Sequence, residues 1–237
     1  MVQNFVIPHS RPTLDESDLL SVSKVIRSGR IVQGEVVEKF EKKVAKYIGV
    51  DGAVAMNTGT SALHLSLLAI GIKEGDYVAM PSFVCTALLN AVRYVGAHPT
   101  LVDIDPETYN IDIRDLKKRV KKSTKAIILP HLFGLPADID EIVSLGIPVI
   151  EDCAQAIGAV YKGRKVGSFG KLSCFSFYAT KVLSTGEGGM VVSDSKSLLK
   201  KIRDFRDYDN KKNYTVRYNY KMTDIQAAMG IAQLKKL

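Results

Sequence analysis

The sequence predicts an α/β protein, a mostly parallel sheet sandwiched by helices. Three observations lead there. From residue 52 onward, short apolar runs alternate with helical patterns, the layout of a parallel sheet covered on both faces. The loops after those runs carry NTGTS, PSFVC, HLFG, ED and YATK, which places polar side chains where parallel sheets build their sites, at the C-terminal strand ends. The helix expected over Ser61–Ile70 is apolar nearly all round, the mark of a helix buried between layers.

In chain order, residues 1–14 read as an extended arm containing Pro8 and Pro12. Asp15–Ser28 reads as a helix with Leu19, Val22 and Ile26 on one face and Gly29 as its stop. After the loop Gly29–Gly34, Glu35–Ile48 is a second amphipathic helix that buries Val36, Val37, Phe40, Val44, Tyr47 and Ile48. Ala53–Met56 is a strand, Asn57–Thr60 a turn, and Ser61–Ile70 the apolar helix. Strands follow at Tyr77–Met80, Pro99–Val102 and Ala126–Leu129, with helices at Thr86–Val95, Ile111–Lys122 and Asp138–Leu145. A further apolar run from Ile147 ends in Glu151 and Asp152, two carboxylates at a strand tip. Ser173–Tyr178 is strand-like, Lys181 stands alone after it, and Gly186–Gly189 is a glycine-rich turn. Gly189–Val192 closes the sheet and Lys196–Phe205 is helical. Asp207–Asn219 reads as a polar, aromatic loop. Lys221–Leu237 returns to helix, with Ile225, Met229, Ala232 and Leu237 roughly on one face.

At 237 residues the chain suffices for one large domain or two small ones. Hydrophobic content of 46% and charged content of 24% are those of a soluble globular protein. There is no run of eighteen apolar residues, and MVQNFVIPHSRP lacks the basic-then-apolar layout of a signal peptide, so no membrane association is expected. Cys85, Cys153 and Cys174 are scattered and odd in number. They suit neither a disulfide framework nor a zinc site and read as thiols in a reducing cytosol, hence a cytoplasmic location. His9, His64, His98 and His131 show no metal spacing, and no metal site is expected. The net charge of +8 reads either as attraction for an anionic partner or as a lysine-rich wet surface, exemplified by Lys117, Lys118, Arg119, Lys121 and Lys122. No nucleic-acid-binding motif accompanies it, so no nucleic-acid partner is expected.

The residues that carry chemistry converge on one kind of cofactor. Pyridoxal phosphate needs a lysine for its aldehyde, a carboxylate to keep its ring nitrogen protonated, and donors for its phosphate. Lys181, Asp152 and Ser176 supply these types on the strand–loop stretch Ile147–Gly189. Asn57–Ser61 opens a helix whose free N–H groups, with the hydroxyls of Thr60 and Ser61, suit a phosphate; the same residues also suit an ordinary N-cap. Asp152 reads equally as a cap for Cys153–Ile157. His131, after a strand, reads as a site-lining residue or as a satisfied structural histidine.

In its order of segments, GTSALHLSLLAIGIKEGDYV, LPHLFGLPADID, EDCAQAIGAVYKGRKVGSFG, FSFYATKVLSTGEGG and YNYKMTDIQAAMGIAQL, the chain resembles the DegT–StrS-type nucleotide-sugar aminotransferases. These are pyridoxal-phosphate enzymes of the aspartate-aminotransferase fold, fold type I. The resemblance implies a large cofactor-binding domain over residues 15–237 behind the arm of 1–14, with the family's small C-terminal domain absent. It implies Lys181 as the residue joined to the cofactor, Asp152 against the pyridine nitrogen, and Gln155 along the ring and its O3′ side. Thr60, Ser61 and Ser176 would take the phosphate. Asn219 would reach the phosphate of a neighbouring subunit's cofactor in a homodimer. Cys85 stands where the family usually stacks an aromatic residue on the ring, and Phe83 is near enough in sequence to substitute. Members with histidine in place of Lys181 perform dehydration, so lysine argues for transamination. The implied activity is conversion of a keto nucleotide-sugar to an amino-sugar for polysaccharide biosynthesis, with glutamate as donor. The rival readings are a non-catalytic module of this fold and a pyridoxal-phosphate dehydratase or lyase.

Overall fold

The computed structural model describes residue 8 and residues 10–237. Most of the expected N-terminal arm, with His9, lies outside the described residues. The first helix, α1 (Glu16–Ser28), opens on a capping box in which the Asp15 carboxylate accepts the Ser17 N–H at 2.8 Å, and it ends on Gly29 at φ 70°. Its buried residues are Asp18 and Val25, whereas Leu19 and Ile26 are exposed. Asp18 turns inward because it accepts from the Gln233 amide at 2.9 Å and pairs with Lys236, contacts from the far end of the chain.

Helix α2 (Glu35–Ile48) starts at Gly34, where the Asp224 carboxylate takes the N–H groups of Gly34 at 2.8 Å and Val37 at 3.0 Å. The cap therefore comes from a residue nearly two hundred positions away. The core face of α2 is Val37, Phe40, Glu41, Val44, Ala45 and Ile48; Val36 and Tyr47 are only partly buried.

Seven strands form one sheet: β1 (Gly52–Met56), β2 (Tyr77–Pro81), β3 (His98–Val102), β4 (Thr124–Pro130), β5 (Val149–Asp152), β8 (Leu172–Ser176) and β9 (Gly189–Ser193), in the order β1-β9-β8-β5-β4-β2-β3. All neighbours run parallel except β9, which is antiparallel to β1 and β8. A separate two-stranded hairpin, β6 (Val160–Tyr161) with β7 (Arg164–Lys165), was not foreseen from the sequence pattern. The remaining helices are α3 (Gly59–Ala69), α4 (Thr86–Tyr94), α5 (Ile113–Arg119), α6 (Ile139–Val143), α7 (Lys196–Arg206) and α8 (Asp224–Leu234). Helix α5 is shorter than its periodicity predicts because Ile111 is bridged to Ile104 and Asp112 caps the helix through the Arg114 N–H. Likewise β8 stops at Ser176, after which Phe177 donates to the Gly188 carbonyl in a loop.

Each face of the sheet has its own core. One contains Phe40, Val44, Ile127, Leu129, Phe175 and Phe177; the other contains Leu65, Leu67, Ile128, Ile150 and Val191 around α3. Helix α3 is buried nearly all round, as its composition predicts. Helix α8 buries small residues, Ala227, Ala228, Gly230 and Ala232, rather than Ile225 and Met229. At Gly230 an added Cβ would lie 2.5 Å from the Phe40 ring, so the two helices touch where only glycine fits. Among the described residues no helix is long and apolar enough to cross a membrane.

Strand β1 lies at the sheet edge, and side chains complete it. Glu41, 5% exposed, accepts the Ala55 N–H at 2.8 Å. Arg206 donates to the Ala55 carbonyl and Arg203 to that of Ala53, both at 2.7 Å, and both arginines pair with Glu41. The edge thus offers no free ladder for another strand at these groups. Removing the carboxylate in Glu41→Ala leaves the buried Arg206 guanidinium without its counter-charge and the Ala55 N–H without its acceptor, a loss of about 3 kcal/mol. Urea denaturation should show it as a lowered midpoint at unchanged slope.

Candidate active site

The strand tips and the start of α3 enclose a cavity of about 260 Å³. Thr58 is the N-cap of α3: its Oγ1 accepts the Ser61 N–H at 3.0 Å, while the Ser61 hydroxyl accepts the Thr58 N–H at 3.2 Å. Ser61 is 4% exposed, and its hydroxyl is spent within this cap, with a further bond to Asn57 Oδ1 at 2.8 Å. Ser61 therefore does not line the cavity. Thr58, Gly59 and Thr60 do. The N–H groups of Gly59 and Thr60 have no acceptor among the described residues and, as first donors of a helix, form an anion-friendly surface.

Two glycines make this approach possible. A Cβ on Gly59 would stand 2.8 Å from the Ser176 Cβ, and one on Gly189 would stand 2.1 Å from the Thr58 carbonyl oxygen. The helix start is thereby pressed onto the ends of β8 and β9, and Ser176 joins Thr60 in the cavity wall.

Asp152 ends β5 with 9% exposure and faces the cavity. Its one side-chain hydrogen bond among the described residues is from the Ala154 N–H at 3.0 Å. Burial pushes its carboxyl above the ordinary value, opposed by that bond and by the charge of nearby Lys181. Lys181 is half-buried and lines the cavity; its backbone N–H donates to the Tyr178 carbonyl at 2.9 Å, while its amine makes no hydrogen bond or ion pair among the described residues. Gln155 lines the same space. Its Oε1 accepts the Phe133 N–H at 2.9 Å, which leaves its NH₂ donors free of an acceptor among the described residues.

Cys85 is exposed and forms part of the wall with Val84 and Leu88. Phe83, the neighbouring aromatic residue, lies away from the wall. It is 50% exposed and packs on Tyr109 with centroids 5.8 Å apart, outside the lining. Asn219 is exposed and does not line this chain's own cavity. Thus Lys181, Asp152, Gln155, Ser176, Thr60 and Cys85 are brought together, while Ser61 and Asn219 are not.

His131 borders the cavity but its ring is fully buried against Glu151, Nε2 to Oε2 at 3.0 Å. His131, Glu151 and Cys153 offer ligand atoms within 4.8 Å of one another. The Glu151 oxygens, however, are filled by hydrogen-bond donors, so the cluster is a hydrogen-bonded hub. The sequence pattern puts Glu151 at the strand tip without a role of its own; the signal for one is the period of two along β5, which sends Glu151 and Asp152 to opposite faces.

Behind the cavity, His64 on α3 is 3% exposed among Tyr94, Tyr218 and Tyr220, with ring centroids 5.5, 4.8 and 5.9 Å away. Burial pushes its imidazole down to about 4, and Nε2 has no partner among the described residues. The unfolded chain binds a proton near pH 6.5 that the folded chain refuses until about 4. Stability should therefore fall as pH drops through that window, by at most about 1 kcal/mol per unit. Melting temperatures of His64→Phe against the unaltered chain should converge toward pH 5, the variant losing less.

Residues 12–237 match the sequence profile of the DegT/DnrJ/EryC1/StrS aminotransferase family. GDP-perosamine synthase of Escherichia coli O157:H7 is 41% identical over 240 residues, covering 97% of this chain and 66% of the relative. The aminotransferase from Psychrobacter cryohalolentis superposes with a TM-score of 0.90 at 34% identity, over 95% of this chain and 63% of the other. The PLP form of a Streptococcus pneumoniae protein gives 0.92 at 28% identity, over 98% and 67%. The chain spans about two thirds of the length of the relatives it matches.

Proposed function

Because the chain belongs to the DegT/DnrJ/EryC1/StrS aminotransferase family, we propose that it is the cofactor-binding large domain of an aminotransferase that turns a keto group of a nucleotide-linked sugar into an amine. The observation that carries this reading is a buried carboxylate with one hydrogen bond and an amine with none, facing the same cavity. Such a pair fits pyridoxal phosphate. Asp152 would hold the ring nitrogen, Lys181 the aldehyde, and Gln155 the ring oxygen through its free NH₂. The N–H groups of Gly59 and Thr60, with the Thr60 and Ser176 hydroxyls, would take the phosphate. Cys85 and Val84 would border the ring without stacking on it.

Bound there, the cofactor supplies an electron sink for a carbanion at the amine-bearing carbon. The rest is the work of this chain's side chains. The Asp152 carboxylate keeps a proton on the ring nitrogen, and its low-dielectric setting strengthens that attraction. Lys181 Nζ takes the proton from the donor's α-carbon and, in the second half of the cycle, returns one to the sugar carbon that receives nitrogen. Val84, Ala87 and Leu88 make one wall apolar and exclude water from these transfers.

Glutamate is the proposed donor, and the relative's name, GDP-perosamine synthase, supports a nucleotide-linked acceptor. Asn219, exposed and outside its own cavity, is free to reach a neighbouring subunit's phosphate, which supports a homodimer. Free thiols at Cys85, Cys153 and Cys174 support a cytoplasmic setting. The test is to mix the pyridoxal-phosphate-loaded chain with glutamate and follow the visible-edge band. Its loss with release of one equivalent of 2-oxoglutarate is expected. A band that no amino acid alters would contradict the enzyme reading and favour a module that holds cofactor without turnover.

A further inference from the structure

We propose that Glu151, which does not face the cavity, is a positioning residue that holds both Asp152 and Gln155 in register with the cofactor ring. The inference rests on the cofactor reading above and extends it to the opposite face of β5. Glu151 is 0% exposed. Its Oε1 accepts the N–H groups of Phe169 at 2.8 Å and Gly170 at 2.6 Å and the Ser173 hydroxyl at 3.0 Å. Its Oε2 accepts the Gly167 N–H at 2.8 Å and the His131 Nε2–H at 3.0 Å. Five donors thus converge on one carboxylate, far more than a strand residue needs for its own satisfaction.

The His131 contact carries the constraint to the cavity. The Ala137 N–H donates to Nδ1 at 3.2 Å, so the ring hydrogen sits on Nε2, where Glu151 receives it. With its ring fixed, His131 donates its backbone N–H to the Asp152 carbonyl at 3.1 Å. Two residues on, the Phe133 N–H holds Gln155 Oε1, and Phe133 sits at φ 54°, a left-handed conformation unfavourable for phenylalanine that the surrounding bonds must impose. One buried acid therefore ties the strand tip that bears Asp152 to the loop that orients Gln155. Groups facing a cofactor need placement to about half an ångström, and such placement comes from their supporting shell.

The test compares Glu151→Gln and Ser173→Ala with the unaltered chain. An amide cannot satisfy five donors, because whichever way it turns, its NH₂ meets at least two of them. Ser173→Ala removes a single donor and preserves the carboxylate. Three readouts are taken: thermal midpoint without cofactor, pyridoxal-phosphate affinity, and visible circular dichroism of the bound cofactor, which reports its orientation. Glu151→Gln should bind about 10-fold more weakly and Ser173→Ala about 3-fold, each with a diminished visible band. A merely structural role would lower the midpoint and leave affinity and band unchanged in the folded fraction, which overturns the proposal. If Glu151→Gln does not fold, Ser173→Ala decides by the same readouts. Failure of the unaltered chain to bind pyridoxal phosphate would overturn the cofactor reading itself, an outcome separate from unchanged binding by the variants.

Discussion

Lys181→Gln should lower amino transfer by roughly 10³–10⁴-fold, because it removes the group proposed as both covalent anchor and base. Among the described residues lining the cavity, Lys181 is the one amine, so no neighbour can take over. Glutamine is polar and only one bond shorter, and the Lys181 amine makes no hydrogen bond or ion pair among the described residues that folding would lose. The variant should therefore melt within a degree or two of the unaltered chain. Single-turnover kinetics with glutamate measures the loss; a Lys181→Gln chain within tenfold of the original would remove Lys181 from the chemistry.

Asp152→Asn comes next, with an expected loss on the order of 100-fold, equivalent to roughly 3 kcal/mol of charge stabilisation in a buried setting. Burial already raises the Asp152 carboxyl, opposed by the Ala154 N–H and Lys181. A cation on the ring nitrogen would oppose it further, and asparagine cannot provide that pairing. Without cofactor the substitution should be neutral or slightly stabilising, since it relieves an under-bonded buried acid. The two effects separate in one experiment: an equal or slightly higher melting point for the free protein with weaker cofactor binding. Near-native turnover in Asp152→Asn would contradict the assignment.

What was legible in the sequence follows from which forces are local. Strands β1, β2, β4 and β5 lie within three residues of their expected ends, because apolar runs bounded by turn residues have few other solutions. Asp152, Gln155, Ser176 and Lys181 reach one cavity because parallel strands deliver their following loops to one sheet edge. Long-range contacts were not legible. Nothing near Glu41 announces that it will close a sheet edge with Arg203 and Arg206, and nothing near Gly34 announces Asp224 as its cap. Leu19 and Ile26 look like a core face, yet Asp18 is held inward by Gln233 and Lys236. Ser61 illustrates a competition within one motif. The pattern that suits phosphate also makes a capping box, and in the fold the side chain goes to the cap while neighbouring backbone faces the cavity.

Under the proposed function, Cys85 takes the place where the resemblance expects a ring to stack on the cofactor, a difference that bears on affinity more than on chemistry. An apolar wall with a thiol gives less contact than an aromatic face, and Phe83, turned to Tyr109, does not restore it. In that reading, anchoring by Lys181, Asp152 and the start of α3 would carry the binding.

This proposed anchoring is open to a spectroscopic and chemical test. The purified 237-residue chain is titrated with pyridoxal phosphate, its absorbance recorded, then reduced with borohydride and mapped by peptide mass. If Lys181 anchors the cofactor, a saturable band appears near the visible edge and a pyridoxyl group is found on the peptide containing Lys181. No saturable band, or label spread over surface lysines, would contradict it.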